Sequence, residues 1–341
     1  MDLLEAVNSN HGLKEKLADI EKNPFPETPV LFAKIKLLWN CNLSCKFCER
    51  PPVKKIMPAE VVKQTLVDLL SQGLIKVHFS GGEIFLHPEI SKILKEAVDL
   101  GLQVNLTTNG TLLTKEMAKF LTKTKIHSVS ISLDSSIPRL HDKIRGKKGA
   151  YKATIKGIEY LLKYRKKHPK IRINTVLFRE NAENMEGIHS LLSSMDEKII
   201  WKIIPVDSAD KNLHLDRSQA QKIGLKACEW SLLQELPTNL KKSSYKALSK
   251  GLHARGYYKT HPCYMPWLHT FIDPLGFVYP CCMVRGHIPS LGNVFNQSVR
   301  DIMKGRQMKK IRMAMATGHP LEICHKCDDF IEENRSLYKF S

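Results

Sequence analysis

The sequence predicts an α/β fold, a partial (β/α)6 barrel of the TIM type with a small C-terminal domain that depends on cysteines. Three observations predict it. Short β-rich runs alternate with helical stretches between residues 31 and 205. That rhythm breaks after about residue 207, and four cysteines that share one spacing pattern then fall after residue 260. Strand–helix alternation at this spacing argues for βαβ units and a parallel sheet.

The elements follow in order. Leu3, Leu4, Val7, Leu13, Leu17 and Ile20 keep a loose helical period. Pro24, Pro26 and Pro29 end it and read as a connector. Strand candidates lie at 31–38, 74–79, 102–107, 127–133, 171–178 and 198–205, with helical stretches near 58–72, 88–100, 114–123, 149–166 and 181–195. Six strands are too few for a complete eight-stranded barrel. Residues 217–254 and 297–316 read as helical, and 268–280 as a hairpin turning at Asp273–Gly276. The expected organisation is an N-terminal helical extension (1–29), a barrel (30–207), a helical bridge (208–254) and a cysteine-dependent domain (255–341).

Composition narrows the class. The chain has 341 residues, 43% hydrophobic and 26% charged, which excludes a mainly disordered or fibrous protein. Asp2, Glu5, Glu15, Asp19 and Glu21 interrupt the first residues, so no signal peptide is expected. No run reaches about 18 apolar residues, so neither is a membrane span. A cytoplasmic, reducing setting is the expectation, and there clustered cysteines point to metal or catalysis. Lys and Arg number 53 against 34 Asp and Glu, a net charge of +19. The basic runs at 54–55, 147–148, 165–167, 241–242 and 309–310 are scattered and belong to no RNA-binding module, so nucleic acid is not the expected partner.

Cys41, Cys45 and Cys48 follow the first strand candidate in the spacing C-x3-C-x2-C. Three thiolates on one loop can hold three irons of a [4Fe–4S] cube and leave the fourth open for a small molecule. Zinc loops more often pair C-x2-C units. Ser80-Gly81-Gly82-Glu83 follows the second strand, Thr107-Thr108-Asn109-Gly110 the third, and Ser132-Leu133-Asp134 the fourth, with Arg145 further on. All sit at the C-terminal ends of strands, where barrel active sites form. Over about residues 31–207 this order resembles the radical S-adenosylmethionine (SAM) enzymes, with Phe47 at the aromatic position before the last cysteine. The resemblance implies that Gly81, Gly82 and Glu83 hold the SAM amino group. It implies that Ser132 contacts the ribose or carboxylate and Arg145 the carboxylate. Thr108, Asn109, Asn174 and Pro205 lie where the family wraps the rest of the cofactor.

Cys263, then Gly276 and Cys281, then Cys324 and Cys327 form C…G-x4-C…C-x2-C. This resembles twitch, the shortened form of the SPASM auxiliary domain, and implies a second [4Fe–4S] cluster with four cysteine ligands. A zinc ribbon on the same four cysteines is not separated by spacing alone. Either Cys281 or Cys282 could be the ligand; the spacing favours Cys281, leaving Cys282 as a packed thiol or a hydrogen-atom donor. Cys228 reads as a buried small hydrophobe.

The resemblance implies a concrete chemistry. One electron from a reduced first cluster cleaves SAM to methionine and a 5′-deoxyadenosyl radical, which abstracts hydrogen from an unactivated C–H. The auxiliary cluster would accept an electron. Oxidation or epimerisation of a sugar- or aminocyclitol-like molecule is the first expectation, with a flavodoxin or ferredoxin as reductant. Peptide maturation and tRNA modification are the alternatives. An iron–sulfur carrier would need neither the Gly-Gly-Glu segment nor Arg145. Asp207, His214, His269, Arg285 and His287 are candidate substrate contacts.

Overall fold

The computed structural model describes residues 12–338 except 21, 27, 207, 209, 234–256 and 328–329. The first part of the helix expected over 3–20, residues 234–254 of the helical stretch expected over 217–254, and the contact Asp207 therefore lie outside the described residues, as does the side chain of Cys228.

The strands are β1 (Phe32–Lys36), β2 (Lys76–Ser80), β3 (Gln103–Thr108), β4 (Ser128–Ser132), β5 (Lys170–Leu177) and β6 (Ile200–Pro205). The helices begin with α1 (Leu13–Ala18), α2 (Ala59–Ser71), α3 (Ile90–Asp99), α4 (Lys115–Lys123), α5 (Pro138–Arg145), α6 (Ala150–Tyr164), α7 (Met185–Met195) and α8 (Arg217–Leu233). After these come α9 (Met265–Leu268), β7 (His269–Ile272), β8 (Phe277–Tyr279), β9 (Gly292–Asn293), α10 (Val299–Lys304), α11 (Arg306–Ala316) and α12 (Ile331–Tyr338). Among the described residues no helix is long and apolar enough to cross a membrane.

One sheet runs through the molecule in the order β6-β5-β4-β3-β2-β1-β7-β8-β9. Neighbours from β6 to β7 are parallel, and β8 and β9 return antiparallel. The first six strands form the partial barrel, and the sheet continues past the expected boundary because β7 adds to the free edge of β1. The Asp273–Gly276 turn closes as anticipated: the Asp273 carboxylate accepts from the N–H groups of Leu275 and Phe277, and Gly276 takes a φ of +83°.

Strand alternation builds the two faces. Ala33, Ile35, Val77, Phe79, Val104, Leu106, Val129, Ile131, Ile171, Ile173 and Trp201 are buried against the helices in one core. At ~1.5–3 kcal/mol for each buried Leu, Ile, Val or Phe side chain, this face fixes the register. The other face carries Lys34, His78, Thr107, Ser130, Arg172, Asn174 and Lys202, polar residues that an all-apolar core would not tolerate. A second core joins Leu13, Leu17 and Ile20 to Tyr258, Trp267, Ile311 and Met315, with Cys324 and Cys327 at its edge.

Candidate cluster and cofactor site

The three-cysteine loop leaves the C-terminal end of β1 and is fixed on several sides. Arg50 donates from Nη1 to the carbonyl of Trp39 at 3.0 Å and from Nη2 to that of Leu43 at 2.9 Å, closing the loop on itself. The N–H groups of Ser44 and Lys46 donate to the carbonyls of Arg145 and Ile144 at the end of α5. Gly146, at φ +67°, lets that chain end approach closely, since a Cβ there would lie 2.3 Å from the Ser44 carbonyl oxygen.

On the opposite side the Gly-Gly-Glu segment runs against the same loop. The N–H groups of Gly82 and Glu83 donate to the carbonyls of Leu38 and Asn40, each at 2.8 Å. Glu83 is fully buried. Its carboxylate accepts from Thr108 Oγ1 at 2.7 Å, the Asn109 N–H at 2.7 Å and the Phe85 N–H at 3.2 Å. Burial raises its pKa against those bonds. Gly81 and Gly82 therefore line the cavity, while the Glu83 carboxylate turns away from it and locks the end of β3.

Asn109 reaches the loop itself. Its Nδ2 lies 2.9 Å from Asn42 Oδ1 and 3.9 Å from Cys41 Sγ. Arg145 is buried, with Nε 2.7 Å from Asp134 Oδ2 and Nη1 3.7 Å from Cys45 Sγ, and its guanidinium sits 5.5 Å above the Phe47 ring. Asp134 is held in turn by the Val176 N–H, while its own N–H donates to His141 Nδ1. Burial pushes the Cys41 and Cys45 thiols up, and at Cys45 the Arg145 charge opposes it.

A cavity of about 450 Å³ opens beside the loop, lined by Cys41, Cys45, Cys48, Phe47, Gly81, Gly82, Thr108, Asn109, Ser132 and Arg145. Ten predicted residues thus share one wall. Asn174 and Pro205 do not line it, though Asn174 Oδ1 and Ser80 Oγ are buried without a hydrogen-bond partner nearby on the same sheet face. Three thiols with an open side and orphaned polar atoms fit a cube with one free iron and a polar ligand on it. Among the described residues no three His, Cys, Asp or Glu side chains converge as for a single ion.

Sequence reasoning missed Lys36 and Trp39, and it named Thr107 and Asp134 only as parts of their strand-end segments, without a role. The lysines alternating inside the apolar run 31–38 were the available signal for Lys36. Of the candidate substrate contacts, Arg285 reaches the cavity, stacked 4.5 Å over the Trp39 ring and 3.3 Å from Asp273 Oδ2. His269 is buried with Nδ1 3.1 Å from the Pro280 carbonyl, His214 bonds the Ser208 carbonyl, and His287 is exposed.

Cys263, Cys281, Cys324 and Cys327 line one small enclosed cavity with Met265, Val284, Met315 and Phe330. Burial pushes the Cys263 thiol up to about 12, and Cys281 is raised by burial and by Cys282, Cys263 and Cys327. Such thiols shed their protons to a soft metal, whose binding is then coupled to folding. Cys282 is absent from this lining and interacts electrostatically with Lys36 of β1.

A partial barrel with a thiol loop at its C-terminal mouth and a small four-thiol pocket beyond it are features of an iron–sulfur protein. Residues 38–192 match the radical SAM superfamily model and residues 263–328 the SPASM model, an iron–sulfur cluster-binding domain. The chain belongs to the SPASM-containing radical SAM proteins. It is 27% identical over 324 residues to the AdoMet-dependent heme synthase of Methanosarcina barkeri, covering 86% of each chain. It is 27% identical over 318 residues to AlbA, the subtilosin biosynthesis protein of Bacillus subtilis, covering 90% of this chain and 66% of AlbA. Streptococcus suis SuiB shares the fold at a TM-score of 0.70 and 18% identity, over 89% of this chain and 72% of SuiB.

Proposed function

We propose that the protein cleaves SAM reductively and uses the 5′-deoxyadenosyl radical to abstract hydrogen from an unactivated C–H of a small molecule, ending in oxidation or epimerisation. The observation that carries this reading is the thiol loop clamped between α5 and the Gly-Gly-Glu segment, its three cysteines lining the 450 Å³ cavity together with the strand-end residues. Cys41, Cys45 and Cys48 would hold the first [4Fe–4S] cluster, which when bound and reduced supplies one electron to the SAM sulfonium. Gly81, Gly82, Thr108, Asn109 and Ser132 would cradle SAM beside it. Arg145, with Nε given to Asp134 and Nη1 to Cys45, offers its remaining amino group to the SAM carboxylate. Glu83 would act from behind, by fixing Thr108 and Asn109.

Cys263, Cys281, Cys324 and Cys327 would close a single auxiliary cluster, leaving no iron free for substrate and suiting it to electron transfer. A flavodoxin- or ferredoxin-type reductant in the cytoplasm fits the exposed Cys48 edge of the loop. A sugar- or aminocyclitol-like substrate remains the class that the sequence resemblance suggests. Peptide maturation is the second reading, favoured by the similarity to AlbA across 90% of this chain; SuiB, alike in fold, has been solved with its precursor peptide SuiA.

The test is anaerobic reconstitution followed by SAM and dithionite. 5′-Deoxyadenosine should form, with about eight irons per chain, and a Cys41/Cys45/Cys48→Ala variant should keep about four and make none. No 5′-deoxyadenosine from any preparation sinks the enzyme reading. A triple variant that keeps all its iron sinks the first-cluster assignment.

A further inference from the structure

None of the six barrel strands contains an Asp or a Glu, yet their concave face carries a field of cations. In a parallel sheet paired residues share a face. Lys34 pairs with His78, Ser130 with Arg172, and Asn174 with Lys202, so these side chains look into the same concavity. Lys36, at the end of β1, and Arg285, arriving from beyond β8, carry the field up to the cavity beside the cysteine loop.

These groups sense one another's charge across the concavity. Burial and the neighbouring Lys34 and Arg285 push Lys36 down to about 8. His78 is held well below its ordinary value by burial and by Lys34, Lys202, Lys76 and Arg172. Arg172 is lowered by burial, and its Nε is buried without a hydrogen-bond partner. A structural wall would be cheaper with apolar side chains. An oxyanion placed here would take charge-assisted hydrogen bonds from several of these groups, the unpartnered Arg172 Nε among them.

We infer that the concave face binds a small substrate through its oxyanion groups, carboxylate or phosphate, with Arg172 and Lys202 on one side of the concavity and Lys34, Lys36 and Arg285 on the other. The inference rests on the proposed SAM chemistry, since the ligand is taken as the molecule that chemistry acts on. On the same face Lys36 follows Lys34 along β1 and Ser132 follows Ser130 along β4, and both Lys36 and Ser132 line the cavity, so a ligand held on this face lies next to the SAM site.

The test is calorimetric titration of the reconstituted full chain, saturated with SAM and without reductant. The probes are pyrophosphate, citrate, poly-glutamate and the uncharged polyol myo-inositol. At least one anion should bind and the polyol should not; tighter pyrophosphate assigns phosphate, and tighter citrate carboxylate. Arg172→Gln and the solvent-exposed Lys202→Gln should each weaken binding by ~10-fold or more, the loss of one charge-assisted hydrogen bond. Wild-type protein that binds neither anion overturns the inference, as does a Lys202→Gln variant, correctly folded, that binds as wild type does. Binding of poly-glutamate alone overturns it in favour of an acidic peptide. Formation of 5′-deoxyadenosine by the same wild-type preparation with dithionite is read separately. Its absence strikes the SAM reading, and its presence without anion binding strikes this inference alone.

Discussion

Gly82 packs against the cysteine loop at a distance no side chain allows. A Cβ there would lie 2.1 Å from the Asn40 carbonyl oxygen and 2.6 Å from that of Trp39. Gly82→Ala should push the loop off the second strand at a cost of ~1–3 kcal/mol, lowering both Tm and the iron retained at the first cluster after desalting. His141 gives a pH dependence at the same scale. Burial, and then Arg145, push its pKa down to about 3, and burial brings His127 to about 4. The unfolded chain gains these protons near pH 6.5, whereas the folded chain refuses them until far lower pH. Their share of stability is therefore intact above about 6.5 and lost as pH falls. Tm should be lower at pH 5 than at pH 7.5, and His141→Asn should shrink that difference; an unchanged difference would count against neutral His141 as the support of Asp134. The sequence displayed Gly81, Gly82 and Asn109 through their motif. It did not display that the Glu83 carboxylate turns inward, because a motif states which residues are present and not where a carboxylate finds its donors.

Among the elements, α5 shows both what local sequence carries and what it omits. Pro138 in its first turn and Gly146 after its last residue, at φ +67°, are ordinary start and stop signals. With 8 residues the helix is too short for a clear apolar period, so alternation alone passes over it. Its carbonyls at Ile144 and Arg145 nevertheless hold the cysteine loop. At the other end of the molecule, α10 is capped from the barrel. Ser298 Oγ accepts from the Asp301 N–H, while Asp68 of α2 accepts from the N–H groups of Val299 and Arg300. Asp68→Ala removes an acceptor from a helix N-terminus across 231 residues of chain. It should cost ~1 kcal/mol in chemical denaturation, with SAM cleavage retained. A change within error would mean that Ser298 caps the helix by itself.

In the whole molecule, the sheet ties the two cluster regions into one body. β7 pairs with β1 over Phe32–Ile35, and the core of Leu13, Trp267 and Met315 bridges the N-terminal helix and the C-terminal cysteines. Loss of cluster absorbance and loss of far-UV ellipticity should therefore coincide on anaerobic heating; two separated transitions would show that the C-terminal region unfolds independently. The net charge of +19 also changes meaning at this scale. Its scattered basic runs belong to no RNA-binding module and are compatible with a solvated surface or an anionic substrate; in the fold, single lysines and arginines on separate strands share one concave face. The sequence by itself determined the strand order, the cysteine spacings and the strand-end motifs, because each is carried by local periodicity or by residues close along the chain. Only the tertiary structure decided that Cys281 rather than Cys282 enters the four-thiol cavity, that β7 extends the barrel sheet, and that Arg285 reaches the first site. Those outcomes depend on register and burial between segments far apart in sequence, where alternation within a strand fixes the face of each side chain but not what it meets there.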